Sequence, residues 1–160
     1  MSALNLESLD RRLRLLEDIE AIRDLRMRYH YCINEGEWGG VVDLYTEDAH
    51  VAIPPVVDVI GKEAIDRFYR TLPDNVDIVK QFIHNHMVEV RGDEAEGVSY
   101  LDARYGGDGK SLLVAGRFKE RYRRVGDGWK ISETLVELFF SAPVEPGWMI
   151  ADNNQIKPFD

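Results

Sequence analysis

The sequence predicts an α+β domain in which amphipathic helices come first and a run of long antiparallel strands follows. In the first part of the chain apolar residues recur at steps of three and four, which is typical of helices packed on one face. In the second half β-rich segments alternate with turns rich in glycine and aspartate. The 160 residues, 44% of them hydrophobic and 31% charged, are enough for one buried core.

Helical periodicity predicts two helices in the first 36 residues. Apolar residues keep helical spacing over residues 6–33, and Asp18 is a candidate cap between a short leading helix and a longer second one. Gly36 suits the C-terminal cap of the second helix. Residues 38–45 continue with a shorter apolar repeat, which predicts another short helix.

Two short strands and a third helix are predicted for the middle of the chain. Residues 49–53 alternate in polarity, residues 56–60 are β-branched and apolar, and two prolines separate these segments. A helical pattern then opens at Gly61, and we expect it to end before Pro73, since proline cannot donate a hydrogen bond within a helix.

The second half predicts a meander of four long strands, at residues 82–90, 95–105, 111–124 and 129–140. A Gly-Asp-Gly sequence precedes the last strand and indicates a hairpin. Strand parity places the charges on one face of the sheet throughout and apolar residues on the other. We expect the helices to cover the apolar face, with a packed core or a cavity between the two layers.

Composition and charge exclude several classes of protein. There are 20 Lys and Arg against 29 Asp and Glu, a net charge of -9, which argues against nucleic-acid binding. No apolar stretch is long enough to span a membrane, and no signal peptide opens the chain, so we expect a cytoplasmic protein. The lone Cys32 cannot form an internal disulfide. His84 and His86 supply two metal ligands at most, so no metal is expected.

Several segments of the chain resemble SnoaL-like proteins of the nuclear-transport-factor-2-like superfamily. The similar segments are EAIRDLRMRYHYCINEGEW (20–38), VDLYTEDA (42–49), GKEAI (61–65), HNHMVEVRGDEA (84–95), GRFKERY (116–122) and GWKI (128–131). The resemblance covers about residues 8–140 and implies a cystatin-like cone, a strongly curved antiparallel sheet covered by the N-terminal helices. We therefore expect a single domain over residues 1–160, with the tail 141–160 packed on it.

The same resemblance implies acid–base chemistry in an apolar pocket, without a metal or organic cofactor. Members include scytalone dehydratase, bile-acid dehydratase and lindane dehydrochlorinase, and many other members are not enzymes. In the dehydratase-like branch a helix carboxylate and a strand histidine form a base dyad. These two positions fall on Asn34 and Gln81. An amide takes no proton at neutral pH, so the usual dyad is absent.

Other side chains are candidates for the missing acid and base. His30 lies one helical turn before Asn34 and is our preferred general base. Tyr29 matches a tyrosine that donates a proton in bile-acid dehydratases and would be the acid. Asn34 and Gln81 would orient the substrate or stabilise an oxyanion through their amide N–H groups. His84 could enter the pocket if its strand bulges. The residues expected to contact substrate are Val51, Ile53, Phe68, Asn85, Leu101, Tyr105, Phe118 and Thr134.

From the sequence we hypothesise that the protein is a cofactor-independent lyase that takes part in the catabolism of aromatic compounds. It would carry out a dehydratase-like elimination, or a retro-aldol release of a one-carbon unit, on a small hydrophobic hydroxylated aromatic or polycyclic ligand. The alternatives are a non-catalytic ligand-binding or subunit-interaction domain, and an isomerase or polyketide cyclase. A homodimer or homotrimer is also expected, since apolar residues interrupt the charges on the outer sheet face. These residues are Tyr100, Leu113, Leu135 and Phe139.

Overall fold

A computed structural model describes residues 5–145 and contains three helices and six strands within that range. The helices are α1 (Leu6–Glu35), α2 (Trp38–Val42) and α3 (Lys62–Asn75). The strands are β1 (Tyr45–Ile53), β2 (Val57–Ile60), β3 (Ile78–Arg91), β4 (Glu94–Gly107), β5 (Lys110–Val125) and β6 (Gly128–Pro143). The predicted packing of the tail falls largely on residues 146–160, which lie outside the described residues.

The six strands form one open, curved sheet in the order β2-β1-β6-β5-β4-β3. Helices precede most of the strands and cover one face of the sheet, which confirms the α+β class and the cystatin-like cone. The expected purely antiparallel arrangement is wrong at one place, because β1 and β6 run parallel. These two strands are far apart in the chain, so no tight hairpin turn forces them to be antiparallel.

The first helix is a single helix of 30 residues, and the predicted break at Asp18 is wrong. The Asp18 carboxylate does not cap a helix. It accepts hydrogen bonds from Arg124 at 2.7 Å and from the indole N–H of Trp129 at 2.9 Å. It therefore ties α1 to the sheet. Gly36 ends the helix as predicted, with a positive φ of 74° that glycine adopts without strain.

Several further element boundaries differ from the prediction, and β3, for example, begins at Ile78 instead of residue 82. Helix α3 continues through Pro73 to Asn75, because a proline in the last turn removes only one helical hydrogen bond. The backbone N–H of Val76 still bonds to the carbonyl of Leu72 and completes that turn. Helix α2 ends at Val42, and Tyr45, which was predicted to be helical, begins β1.

Alternation along β4 and β5 confirms the predicted faces of the sheet. Ser99, Leu101 and Ala103 are buried under the helices, whereas Tyr100 and Leu113 are exposed on the outer face. Helix α1 packs mainly against β3, and α3 packs against α2 and β1. The two layers therefore enclose the space in which a ligand site was expected.

Candidate functional site

A cavity of about 430 Å³ lies between the helices and the inner face of the sheet. Most of its lining is apolar and aromatic, with side chains from α1, α3 and strands β3 to β6. Tyr29, Tyr69, Gln81 and Tyr105 place polar groups in this lining. A few polar groups in an apolar cavity are what a small-molecule site needs to orient its ligand.

Three tyrosine hydroxyl groups meet at one side of the cavity, and we call Tyr29, Tyr45 and Tyr69 the tyrosine cluster. The hydroxyls of Tyr29 and Tyr69 are 2.9 Å apart, and that of Tyr45 lies 3.4 Å from Tyr69. Tyr29 and Tyr69 line the cavity, while Tyr45 is buried behind them. Burial raises the pKa of all three phenols, so they are protonated at neutral pH.

The tyrosine cluster is hydrogen-bonded to a buried carboxylate. The Tyr45 hydroxyl is 3.3 Å from the Thr134 hydroxyl, which donates to Oε1 of Glu120 at 3.0 Å. Tyr122 donates to the other oxygen, Oε2, at 2.7 Å. Glu120 is 4% exposed, so these contacts replace the water that a surface carboxylate would have.

The buried carboxylate is paired with an arginine of α1. Arg26 donates from NH1 to Glu120 at 2.8 Å, and both side chains are almost completely buried. The guanidinium also lies 4.2 Å from the ring centre of Tyr29 and 3.7 Å from that of Phe118. The cation therefore lies directly behind two residues of the cavity wall, where contact with aromatic faces is favourable.

Sequence reasoning missed this ion pair, although the strand pattern contained a signal for it. Glu120 has the same parity along β5 as Phe118 and Tyr122, so it is a charge on the apolar face. Arg26 has helical spacing with the buried residues Ile22 and Tyr29. A charge of each sign among buried residues would have predicted an internal pair.

His30 is buried behind the wall of the cavity and is not among the residues that line it. Its ring contacts the rings of Tyr29 and Phe118 edge-on, with centroid distances of 5.2 and 5.6 Å. Burial, and then the charge of Arg26, lower the pKa of His30 to about 2, while the Gln81 side chain acts in the opposite direction. His30 is therefore neutral at physiological pH.

Asn34 holds β3 through the backbone of Gln81. Its Oδ1 accepts from the Gln81 backbone N–H at 2.7 Å, and its Nδ2 donates to the Gln81 carbonyl at 2.8 Å. The Gln81 side chain donates to the hydroxyl of Tyr105, and both residues line the cavity. Burial raises the pKa of Tyr105 to about 12. The structure thus brings Gln81 into the cavity, while Asn34 stays behind it as a backbone clamp.

Strand β3 does bulge near the predicted histidine, but a different side chain turns inwards. The register with β4 shifts between His84 and Met87, where Asn85 has a positive φ of 56°. The His84 side chain remains 61% exposed, 4.0 Å from Asp102 on the outer face. His86 instead points inwards, and its Nε2 lies 3.2 Å from the Tyr122 hydroxyl. Burial, and then the charge of Arg26, lower the pKa of His86 to about 4.

Five of the eight residues expected to contact substrate line the cavity. These are Ile53, Phe68, Leu101, Tyr105 and Phe118. Of the other three, Val51 is completely buried, Thr134 is buried in the hydrogen bond to Glu120, and Asn85 is exposed on β3. Tyr69 is the main polar residue that the prediction missed, although its place beside Phe68 on one side of α3 indicated it.

Over residues 5–145, no three His, Cys, Asp or Glu side chains are arranged to hold a metal ion. Of the helices in that same range, none is long and apolar enough to cross a membrane. The candidate site consists of hydroxyl and amide groups at the cavity and a buried ion pair behind it.

An α+β cone with an apolar cavity between its two layers is a cystatin-like fold of the nuclear-transport-factor-2-like type. The sequence profile of the SnoaL-like domain matches residues 14–134, which is most of the chain. The protein belongs to the SnoaL-like domain family.

Solved structures with the same fold agree with this assignment. A provisionally named aromatic ring hydroxylase of Novosphingobium aromaticivorans is 25% identical, with a TM-score of 0.75 over 82% of this chain and 96% of that one. An NTF2-like protein of the same organism is 27% identical, with a TM-score of 0.72 over 86% and 92% of the two chains. A hexachlorocyclohexane dehydrochlorinase of Novosphingobium barchaimii shares the fold at 18% identity, with a TM-score of 0.76 over 82% and 93%. No curated protein matches the chain.

Proposed function

We propose that this protein is a cofactor-independent lyase that removes a small leaving group from a hydroxylated aromatic or polycyclic compound bound in the cavity. The observation that carries the proposal is the pair of hydroxyls of Tyr29 and Tyr69, 2.9 Å apart in a wall that is otherwise mostly apolar. The apolar lining favours a ring system, and the hydroxyl pair favours a polar substituent at one point on it.

The size of the cavity and the family support this substrate class. A volume of about 430 Å³ lies within the usual range of roughly 300–1,000 Å³ for small-molecule sites. Membership of the SnoaL-like family supports catalysis without a cofactor. A hexachlorocyclohexane dehydrochlorinase with this fold is, by its name, an enzyme that eliminates hydrogen chloride. We extend elimination, and not that substrate, to the present protein.

Asn34 and Gln81 do not form an ionisable acid–base pair. This favours a substrate whose own phenol group supplies the electrons that expel the leaving group. A neutral His30 whose pKa is lowered to about 2 is a weak base, and its role stays a prediction. In a phenolic substrate, loss of the phenol proton leaves an electron pair that moves through the ring. The bond to a benzylic hydroxyl then breaks, the departing oxygen takes up the proton that the phenol lost, and water leaves behind a quinone methide. In the retro-aldol version the quinone methide formed in this way accepts the electron pair of the broken carbon–carbon bond. The hydroxyl of the one-carbon unit gives its proton back to the phenol oxygen, and the unit leaves as an aldehyde.

Mass spectrometry of candidate substrates tests the proposal. We expect one of a panel of hydroxylated aromatic compounds to lose water or a one-carbon unit when incubated with the protein. Tyr29→Phe removes the hydroxyl from the cavity wall and should lower turnover about a hundredfold. The control is Tyr31→Phe, on the same helix but 60% exposed, which should leave turnover unchanged. Turnover by Tyr29→Phe within about threefold of wild type would exclude the role of this hydroxyl.

A second candidate is a non-catalytic small-molecule-binding domain. The observation that favours it is the engagement of both Asn34 amide atoms with the backbone of Gln81, which leaves neither for a substrate. This candidate requires a ligand that binds in the cavity and is recovered unchanged. An isomerase or cyclase would give a new compound of unchanged mass, which chromatography separates from the starting ligand.

A further inference from the structure

The hydroxyl chain that ends at Glu120 has one proton for each of its contacts. Four hydroxyl groups take part, and their oxygens are joined by three contacts of 2.9, 3.4 and 3.3 Å. A fourth contact joins the last hydroxyl to the carboxylate at 3.0 Å. From the cavity wall inwards, the hydrogen-bonded groups are Tyr29, Tyr69, Tyr45, Thr134 and Glu120. Each hydroxyl has one proton to donate, whereas an ionised carboxylate only accepts.

This count leaves one arrangement in which every contact holds a proton. Thr134 donates to Glu120, so the Thr134 oxygen must accept from Tyr45. The Tyr45 proton is then committed, so Tyr69 must donate to Tyr45. By the same reasoning Tyr29 donates to Tyr69. Reversal of any member would leave two lone pairs facing each other in a buried contact, which is unfavourable.

The surroundings hold the chain in this direction. Arg26 donates to Oε1 of Glu120 at 2.8 Å, so this oxygen accepts from the guanidinium as well as from Thr134. Tyr45 and Thr134 are both 0% exposed and do not line the cavity, so neither bulk water nor a ligand supplies alternative partners to their hydroxyls. The direction imposed at Glu120 is therefore transmitted to Tyr29, at the cavity wall.

We infer that the Tyr29 hydroxyl presents its lone pairs to the cavity, so that the site selects ligands carrying a hydrogen-bond donor, an alcohol or phenol O–H, over acceptor-only carbonyls and ethers. This inference rests on the proposed function, because it specifies the ligand of the same cavity. The proton of Tyr29 is committed to Tyr69, and a ligand carbonyl at Tyr29 would place two acceptors against each other. A ligand hydroxyl adds one more donor to the start of the chain.

The inferred direction also suits the electron push of the proposed reaction. A ligand hydroxyl that donates to Tyr29 gains electron density on its own oxygen, and hydrogen bonds in a chain polarise one another in the same sense. An ionised carboxylate at the far end strengthens that polarisation. Glu120 and Thr134 are therefore positioning residues, which act on the ligand through the tyrosine cluster.

The test compares two ligands that differ only in donor capacity. The probes are para-substituted biphenylmethanol and biphenylcarbaldehyde, which have the same number of non-hydrogen atoms. The alcohol can donate a hydrogen bond and the aldehyde can only accept. Binding to the full chain is followed by tryptophan fluorescence, since one of the three tryptophans, Trp38, lines the cavity, and is checked by calorimetry. We expect the alcohol to bind about five- to tenfold more tightly than the aldehyde.

Variants locate the origin of this preference. Thr134→Val breaks the chain while leaving the ion pair in place, and it should reduce the preference to about twofold or less. The matched control is Tyr122→Phe, which also removes one hydrogen bond to Glu120 but on the oxygen away from the chain. Tyr122→Phe should keep the wild-type preference. Both variants are compared only after circular dichroism and thermal unfolding show that they are folded.

Each outcome has a distinct meaning. A preference for the alcohol that is lost in Thr134→Val and kept in Tyr122→Phe supports the inference. Equal affinity for both probes, tighter binding of the aldehyde, or an unchanged preference in Thr134→Val overturns it while leaving the proposed small-molecule site intact. Failure of both probes to bind the wild-type protein overturns the proposed function and the inference together.

Discussion

Asn34 binds Gln81 through both backbone hydrogen-bonding groups, with an N–H to Oδ1 distance of 2.7 Å and an Nδ2 to carbonyl distance of 2.8 Å. Only an amide can donate and accept at the same time in this geometry, since a carboxylate has no donor. The pair joins α1 to the part of β3 whose Gln81 side chain lines the cavity. The asparagine at this position therefore has a structural role, because its amide holds α1 and β3 together.

Asn34→Asp restores the residue type of the base dyad but should destabilise the protein. One carboxylate oxygen would face the carbonyl oxygen of Gln81 in a partly buried contact, where neither can donate. We expect the free energy of unfolding to fall by about 1–3 kcal/mol, measured by urea denaturation. The control is Asn5→Asp, the same exchange at an exposed helix N-cap whose Oδ1 only accepts, from the Ser8 N–H, for which we expect a change within about 0.5 kcal/mol. Equal stability of Asn34→Asp and wild type would contradict the clamp.

The sequence was enough to predict the order of elements and the faces of the sheet. Alternation places Ser99, Leu101 and Ala103 inside because each strand is long and its two faces meet different surroundings. The continuous α1 was not predicted, because Asp18 has the residue type of a cap but is used in a tertiary contact with Arg124. Local propensity cannot show a partner that is 106 residues away in the sequence.

The candidate site was predicted in part. Helical and strand spacing placed Tyr29, Phe68 and Tyr105 towards the space between the layers, and they line the cavity. Spacing could not show that His86 and not His84 turns inwards, because the register shift between His84 and Met87 changes which side chains face the helices. The roles assigned to His30, Tyr29, Asn34, Gln81 and His84 remain predictions.

The protein should become less stable as the pH is lowered, because His30 is buried in its neutral form. Its pKa is about 2 in the folded protein against 6.5 for a free histidine. Between these values the unfolded chain binds a proton that the folded chain does not, so acid favours unfolding. Stability from this group is complete above pH 6.5 and declines as the pH falls towards 2. From pH 7 to pH 5 we expect His30 to contribute a loss of about 2 kcal/mol, measured by urea denaturation.

Two variants separate this effect from the titration of surface carboxylates. His30→Gln removes the buried imidazole, so the difference in stability between pH 7 and pH 5 should become smaller than in wild type. His84→Gln removes an exposed imidazole, with a side chain 61% exposed, and should keep the wild-type pH dependence. The explanation fails if both variants show the same pH dependence as wild type.

Glu120→Gln should be strongly destabilising because it leaves the guanidinium of Arg26 charged and buried without its counter-ion. Arg26 is completely buried and only its NH1 has a partner, Glu120, among residues 5–145. We expect a loss of about 3–5 kcal/mol in the free energy of unfolding. Replacing both partners, with Arg26→Met added, should recover part of this loss, since no unpaired charge remains.

The control for the buried pair is an exposed pair of the same chemistry. Glu63 accepts from Arg67 at 2.6 Å on the surface of α3, where both side chains are mostly exposed. Glu63→Gln should change stability little, because solvent screens exposed ion pairs. A loss from Glu120→Gln no larger than that from Glu63→Gln would show that burial does not make the pair important.

The outer face of the sheet is expected to join copies of this chain. Tyr100 and Phe139 are in ring contact at 6.2 Å, and Phe139 is 54% exposed among charges of both signs, such as Arg117 and Glu137. Such a face is self-complementary, because its apolar patch and its opposite charges can pair with those of a second copy. We expect light scattering after gel filtration to give a dimer or trimer, and Phe139→Glu to shift it to monomer. Met27→Glu, on α1 at the same 54% exposure, should leave the assembly unchanged. A wild-type monomer, or an oligomer that survives Phe139→Glu, would rule this surface out as the interface.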